Sequence, residues 1–229
     1  MHLLIVFTGE FKTKVFPLGG KFQLDQAVAL KKVGIKTGIL APGLLSVRRI
    51  FNKYPYRKFQ KYNQVPVYRD YKQNLLPARI NIYNLWLAQR YKKFGLELFE
   101  KYKKKYGIPD LIHSFDLRFG AFVANEIYKK YKVPYITTEF SSETAENTFP
   151  MFLKNLIIPI LKKAKLVTAA SIPFAKKFKK KLNLKNIKVL PFYPLLSTDI
   201  VEDKIIISKP KSKNFVFLTV NRLDKNKNI

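Results

Sequence analysis

Two cations near the carboxyl end of this sequence, Arg222 and Lys227, stand in "FVFLTVNRLDKNKNI", after an apolar run and where a helix should begin. Positive side chains beside the free N–H groups of a helix's first turn make a receptor for a diphosphate, since charge and dipole favour the same ligand. A second anion-sized feature lies near the amino end. Gly19 and Gly20 of "PLGGKFQLDQAVALKKVGI" fall between the first apolar run and the first amphipathic stretch. A tight turn there exposes backbone N–H groups to a phosphate. The dull explanations are a basic turn in a Lys-rich chain and a plain strand–helix turn. The dinucleotide fingerprint GxGxxG is absent.

A third group is polar and central. In "GIPDLIHSFDLRFGAFVANEIYKKYKVPYITTEFSS", His113 and Asp116 close one β-like run, and Thr137, Thr138, Glu139, Ser141 and Ser142 close the next. Ligands of open α/β sheets bind outside the carboxyl ends of strands, which suits this cluster. Glu139 has the best claim there, as a carboxylate able to bind sugar hydroxyls or act as a base. A lone His in such a place is more often a hydrogen-bonded core group than a catalyst.

The elements that must position these residues are legible as alternating periods. Short β-branched runs predict strands at 3–7, 36–41, 65–69, 110–115, 134–139, 165–171 and 187–192. Amphipathic stretches predict helices at 21–33, 78–105, 118–131, 147–163 and 173–182. In the last of these, Phe174, Phe178 and Leu182 share one face, with Lys176, Lys177, Lys179 and Lys180 on the others. Strand and helix alternating at this spacing predict an α/β, doubly wound, mostly parallel sheet of Rossmann type. The stretch 194–214 shifts to Pro, Ser and carboxylates and reads as a linker, after which "FVFLTV" opens a further unit. The expected organisation is a first domain over 1–194, a linker over 195–214, and the start of a second Rossmann-like domain over 215–229.

Composition narrows the chemistry. With 229 residues and 47% hydrophobic content, the chain can bury a substantial core. It has no Cys, which removes disulfides and thiolate catalysis, and its two His, His2 and His113, do not furnish a His-rich metal site. The net charge of +29 draws polyanions: nucleic acid, anionic lipid or phosphorylated substrates. A coding bias towards Lys explains that excess as readily, because Lys is scattered throughout. "MHLLIVFTGE" reads as a buried strand and not as a leader, and "MFLKNLIIPIL" is too short to span a bilayer. "VRRIFNKYPYRKFQKYNQ", over 47–64, interleaves cations with aromatics. It reads equally as a nucleic-acid surface, a lip on a bilayer or a solvated loop.

In order and spacing these pieces resemble the GT-B glycosyltransferases of the large retaining family 4. The residues that carry the resemblance are the Gly-Gly loop, "PDLIHSFD", "VPYITTEFSSE", "LVTAASIPFAKKFKKKL" and "FVFLTVNRLDKNKNI". It covers nearly the full length. It implies a GT-B N-terminal domain facing the acceptor, and a sugar passed from a nucleotide-sugar donor to a glycan or a polyisoprenyl-lipid-linked acceptor. It implies that Arg222 and Lys227 hold the donor diphosphate, with Gly19 and Gly20 approaching it from across a cleft. His113, Asp116, Glu139, Ser141 and Ser142 are then candidates for the acceptor or sugar. No metal and no cofactor beyond the donor is expected, since cationic side chains offset the leaving group's charge. The expected setting is cytoplasmic and peripheral, on the inner face of the cytoplasmic membrane, with an anionic surface as a partner and no specific nucleic acid.

The sequence also departs from the family's pattern. Phe140 stands where relatives have His after Thr-Glu, Asn221 stands where Gly is usual, and no two Glu have the spacing of the family's paired Glu. The expectation is an N-terminal portion that ends early in the nucleotide-binding domain and is inactive by itself. The alternative is a non-catalytic basic α/β protein that binds nucleic acid or an anionic membrane.

Overall fold

The computed structural model describes residues 1–8, 19–46, 58–74, 81–141 and 151–193. In chain order the elements are β1 (His2–Val6), α1 (Lys21–Lys32), β2 (Lys36–Ser46), β3 (Phe59–Tyr62), β4 (Val65–Asn74), α2 (Asn81–Tyr106) and β5 (Leu111–Phe115). There follow α3 (Gly120–Tyr131), β6 (Tyr135–Glu139), α4 (Met151–Lys163), β7 (Leu166–Ala169), α5 (Ile172–Lys181) and β8 (Val189–Pro191). The strands form one eight-stranded sheet in the order β3-β4-β2-β1-β5-β6-β7-β8. Every pairing is parallel except β3 with β4. The doubly wound α/β architecture expected from the alternating periods is therefore the observed one. The linker over 195–214 and the second unit over 215–229 lie outside the described residues.

From β1 the chain steps one way to β2, and from β5 it steps the other way through β6 and β7 to β8. Right-handed crossovers then put α1 on one face and α3, α4 and α5 on the opposite one. The packing agrees. Leu4 and Val6 of β1 join Phe99 of α2, Phe122 of α3, Leu161 of α4 and Phe178 of α5 in the larger core. Leu3 and Ile5 turn to the other side, with Ala27 of α1, Ile39, Val65 and Val67. Period-two alternation thus feeds two cores, and all five residues of β1 are buried. Burying a side chain such as Phe178, which has no exposed surface, stabilises the fold by about 1.5–3 kcal/mol.

Local chemistry sets the element ends. Gly107 follows α2 with φ 84°, and its N–H closes the helix on Lys103 O at 2.9 Å, a left-handed cap that a side chain would strain. Ser171 caps α5 by accepting from Phe174 N at 3.3 Å, with a proline in the first turn. That cap ends β7 at Ala169, short of the expected residue 171. Two strands run longer than their apolar segments suggest. β2 and β4 pair continuously from Ile39↔Val67 to Ser46↔Asn74, so ladder hydrogen bonds carry both beyond the hydrophobic run.

One strand was not expected. Phe59–Tyr62 lies antiparallel on β4, joined through Asn63 and Gln64, both at positive φ (44° and 63°). Within the basic and aromatic stretch 47–64, residues 59–62 are therefore a sheet edge, closed by a two-residue hairpin turn. Residues 47–57 of that stretch lie outside the described residues.

Candidate functional site at the carboxyl edge of the sheet

Because β1, β5 and β6 are parallel, their carboxyl ends share one edge of the sheet. α1 returns antiparallel from β1 to β2, so its amino terminus opens on that edge too. β1 and β5 are the neighbours at which the winding reverses, the place where open α/β sheets leave a crevice. Gly20 begins α1 in the left-handed region (φ 67°, ψ 14°), and Gly19 precedes it in the same turn. Gly20 carries no capping side chain, and Lys21 is held by Asp25 at 2.9 Å.

Asp116 stands just past β5 and gathers donors from both sides of the switch. Thr8 Oγ1 donates to its Oδ2 at 2.6 Å, and Thr8 N approaches the same oxygen at 3.4 Å. Phe119 N and Gly120 N both donate to Oδ1 at 2.7 Å, so this carboxylate caps α3 from outside the helix. Its backbone φ of 155° is one that L side chains rarely adopt, a strain the surrounding hydrogen bonds hold in place. Burial pushes the Asp116 pKa up, against the pull of the Thr8 hydroxyl and the N–H donors.

Glu139 ends β6 with only 2% of its surface exposed. Its Oε2 accepts from Leu117 N at 3.1 Å and its Oε1 from Ser141 N at 2.5 Å. Asp116 and Glu139 together brace the segment between β5 and α3, each through backbone N–H groups.

His113 lies on the opposite face from Glu139, beside Thr138, and is 1% exposed. Gln26 Nε2, an amide donor, is 3.2 Å from Nδ1, so Nδ1 accepts and Nε2 carries the proton. Nε2 then donates to Thr138 Oγ1 at 2.6 Å, and Thr138 Oγ1 lies 2.6 Å from Thr168 Oγ1. Thr168 in turn reaches Thr137 O at 3.4 Å. The chain of donors runs one way from α1 through β5 and β6 to β7, with every group satisfied. Burial pulls the His113 pKa down to about 3, so the imidazole is neutral at ordinary pH.

The arrangement therefore brings Asp116, Glu139 and Ser141 to one edge and commits His113 to the interior beneath it. Ser142, Arg222 and Lys227 lie outside the described residues. Sequence reasoning passed over Thr8, Gln26 and Thr168. Thr8 had a visible signal, a polar residue closing an apolar run, the same sign that drew attention to Thr137. Among the described residues no three His, Cys, Asp or Glu are grouped as metal ligands would be, and no helix is long and apolar enough to cross a membrane.

No protein-family model matches this chain. No curated protein matches it either. Solved structures match in fold. The N-terminal domain of trehalose-6-phosphate phosphatase from Candida albicans superposes with a TM-score of 0.56 at 12% identity, over 91% of this chain and 51% of that one. UDP-N-acetylglucosamine 2-epimerase from Rickettsia bellii gives 0.45 at 10% identity, over 93% and 49%. Arabidopsis thaliana UGT89C1 complexed with UDP gives 0.49 at 9% identity, over 85% and 49%. The chain spans about half the length of these solved chains, and its likeness to the trehalose-6-phosphate phosphatase domain is one of fold.

Above His113 the edge turns aromatic. Phe140 stacks on Phe115 with centroids 5.7 Å apart and planes 5° from parallel. Phe192 meets both edge-on, at 74° and 75°, and stands at 90° to the His113 ring. Phe140 thus completes a three-ring cluster through offset and edge-to-face contacts, which accounts physically for an apolar residue at that position.

Proposed function

We propose that this chain is the acceptor-side part of a GT-B glycosyltransferase resembling retaining family 4. The full-length enzyme moves a sugar from a nucleotide-sugar donor to a glycan or polyisoprenyl-lipid-linked acceptor, in the synthesis of surface polysaccharide or glycolipid, and this chain alone is inactive. One observation carries the reading. The β1/β5 switch point, the Gly19–Gly20 opening of α1 and the Asp116–Glu139 brace all converge on one edge of the sheet.

In this reading the donor's diphosphate meets Arg222 and Lys227, with the first-turn N–H groups of α1 opposite. Cationic side chains stabilise the charge that grows on the leaving diphosphate, so no metal is needed for that step. Glu139, Ser141 and Ser142 are assigned to the acceptor side, Asp116 braces the same edge, and His113 lies in the interior beneath them. The protein works at the cytoplasmic face of a membrane.

Calorimetric titration with UDP, GDP and ADP, each against its nucleoside, tests the donor site. One diphosphate should bind at least tenfold tighter than its nucleoside, with no change when EDTA is added. Arg222→Gln with Lys227→Gln should abolish that tenfold margin, which corresponds to about 1.4 kcal/mol. If no diphosphate outbinds its nucleoside, or if the double variant binds as before, the reading fails.

A further inference from the structure

Residues 151–193 hold eleven Lys and no Asp, Glu or Arg. These residues build α4, β7, α5 and β8, the whole far end of the sheet. Elsewhere several of the cations sit in ion pairs. Glu100 holds Lys103 and Lys130 at 2.8 Å each, and Lys72 meets Glu97 at 2.5 Å. Among the described residues no carboxylate pairs with Lys176, Lys177, Lys179 or Lys180.

The lysines are also arranged. α5 turns Ala175 and Phe178 inward and leaves Lys176, Lys177, Lys179 and Lys180 exposed on the opposite arc. Below it, at the amino ends of β7 and β8, lies a cavity of about 260 Å³. Lys162, Lys165, Lys188 and Asn186 surround this cavity, whose wall is aliphatic: Leu161, Leu166, Val167 and Ile187. At the carboxyl ends of the same strands two large apolar side chains face solvent, Ile172 (50% exposed) and Tyr193 (59%).

We propose that this end of the domain is a seat for an anionic phospholipid surface. The α5 lysines lie on the headgroups, Ile172 and Tyr193 enter at headgroup depth, and the cavity takes one headgroup phosphate. Lys clusters beside exposed aromatic and aliphatic tips are what a bilayer interface selects, through Coulomb attraction and partial insertion. A nucleic-acid surface is a poorer fit. It would call for Arg forks and a row of stacking rings, whereas this end has no Arg and the cavity has no aromatic residue. In this pose the sheet's carboxyl edge, with Asp116 and Glu139, stays open beside the membrane. The proposal rests on the membrane setting given under the proposed function and names its surface and lipid class; it is read without any nucleotide present, so its failure leaves the sugar transfer standing.

The test is flotation of the 229-residue chain with vesicles of mixed phosphatidylglycerol and phosphatidylcholine against pure phosphatidylcholine. The chain should float with the anionic vesicles only. Neutralising the α5 face (Lys176→Gln, Lys177→Gln, Lys179→Gln, Lys180→Gln) should lower partitioning at least a hundredfold. Tyr193→Ser should lower it less, and in a way that added salt does not mask. A control that removes the same charge elsewhere, at Lys61, Lys93, Lys101 and Lys104, should retain binding. Equal binding to neutral vesicles overturns the proposal, as does an equal loss in the control. So does displacement from vesicles by duplex DNA that depends on the same four α5 lysines.

Discussion

Thr8 Oγ1 lies 2.6 Å from Asp116 Oδ2, across 108 residues of sequence, and so ties the end of β1 to the first turn of α3. This bond sits at the point where the sheet changes its winding direction. It couples two strands whose common edge forms the proposed site, and its carboxylate also caps a helix. Removing either partner should therefore be felt in the whole sheet.

Thr8→Val deletes the hydroxyl and leaves Oδ2 with only the long contact to Thr8 N, at a cost of about 1–2 kcal/mol. Asp116→Ala should cost more, because Phe119 N and Gly120 N lose their acceptor as well. Asp116→Gly should fall between the two, since glycine accepts the φ of 155° without strain. Urea denaturation of the three variants reads the order directly.

The buried His113 predicts a pH dependence. Its pKa is about 3 in the fold against 6.5 as the ordinary value, so the unfolded chain takes up a proton that the folded chain refuses. The stability this group supplies is fully present above pH 6.5 and is lost as pH falls towards 3, at about 1.4 kcal/mol per pH unit. His2 is lowered in the same direction, mainly by burial, so the relevant quantity is wild type minus His113→Asn. That difference should shrink as the buffer is taken from pH 7 to pH 5. A nitrogen NMR spectrum should show the neutral ring protonated at Nε2 throughout.

Glu139→Gln keeps the shape of the side chain but turns one acceptor into a donor. An amide NH2 would then face either Leu117 N or Ser141 N in a buried site. The expected loss is about 1–3 kcal/mol. A thermal melt unchanged from wild type would show that the carboxylate does not brace this segment.

Gly38 on β2 lies under the ring of Tyr102, a fully buried side chain whose hydroxyl is 2.6 Å from His2 Nε2. A methyl group there meets Tyr102 Cε2, Cζ and Oη. Gly38→Ala should destabilise by about 1–3 kcal/mol through overpacking. The double variant with Tyr102→Leu should recover part of that loss, which a double-mutant cycle in urea would show.

Most of the frame was legible because apolar periodicity is a local property. β1, β5 and β6 begin and end within a residue of their expected bounds, and Phe178 and Leu182, read in the sequence as one apolar face of α5, are both buried. β3 was not legible, since Phe59–Tyr62 is only half apolar and sits in a run of cations, where charge obscures alternation. The division of the polar cluster between two faces was not legible either. Thr138 and Glu139 are adjacent in sequence, yet one joins the interior chain of hydroxyls and the other braces the edge, because side chains alternate across a strand. Gln26, which sets the tautomer of His113, comes from a helix 87 residues away, and only the tertiary fold brings it there.

The central position of β1 has a consequence for biogenesis. Its hydrogen-bonding partners are β2 on one side and β5, more than a hundred residues later, on the other. A ribosome delivering this chain exposes the opening strand long before its second neighbour exists, and slow closure of distant parallel contacts is the usual bottleneck for such topologies. Strand β1 therefore remains open to wrong pairing until Leu111–Phe115 emerges, a vulnerable interval in which a chaperone holding that strand would raise the yield of folded protein.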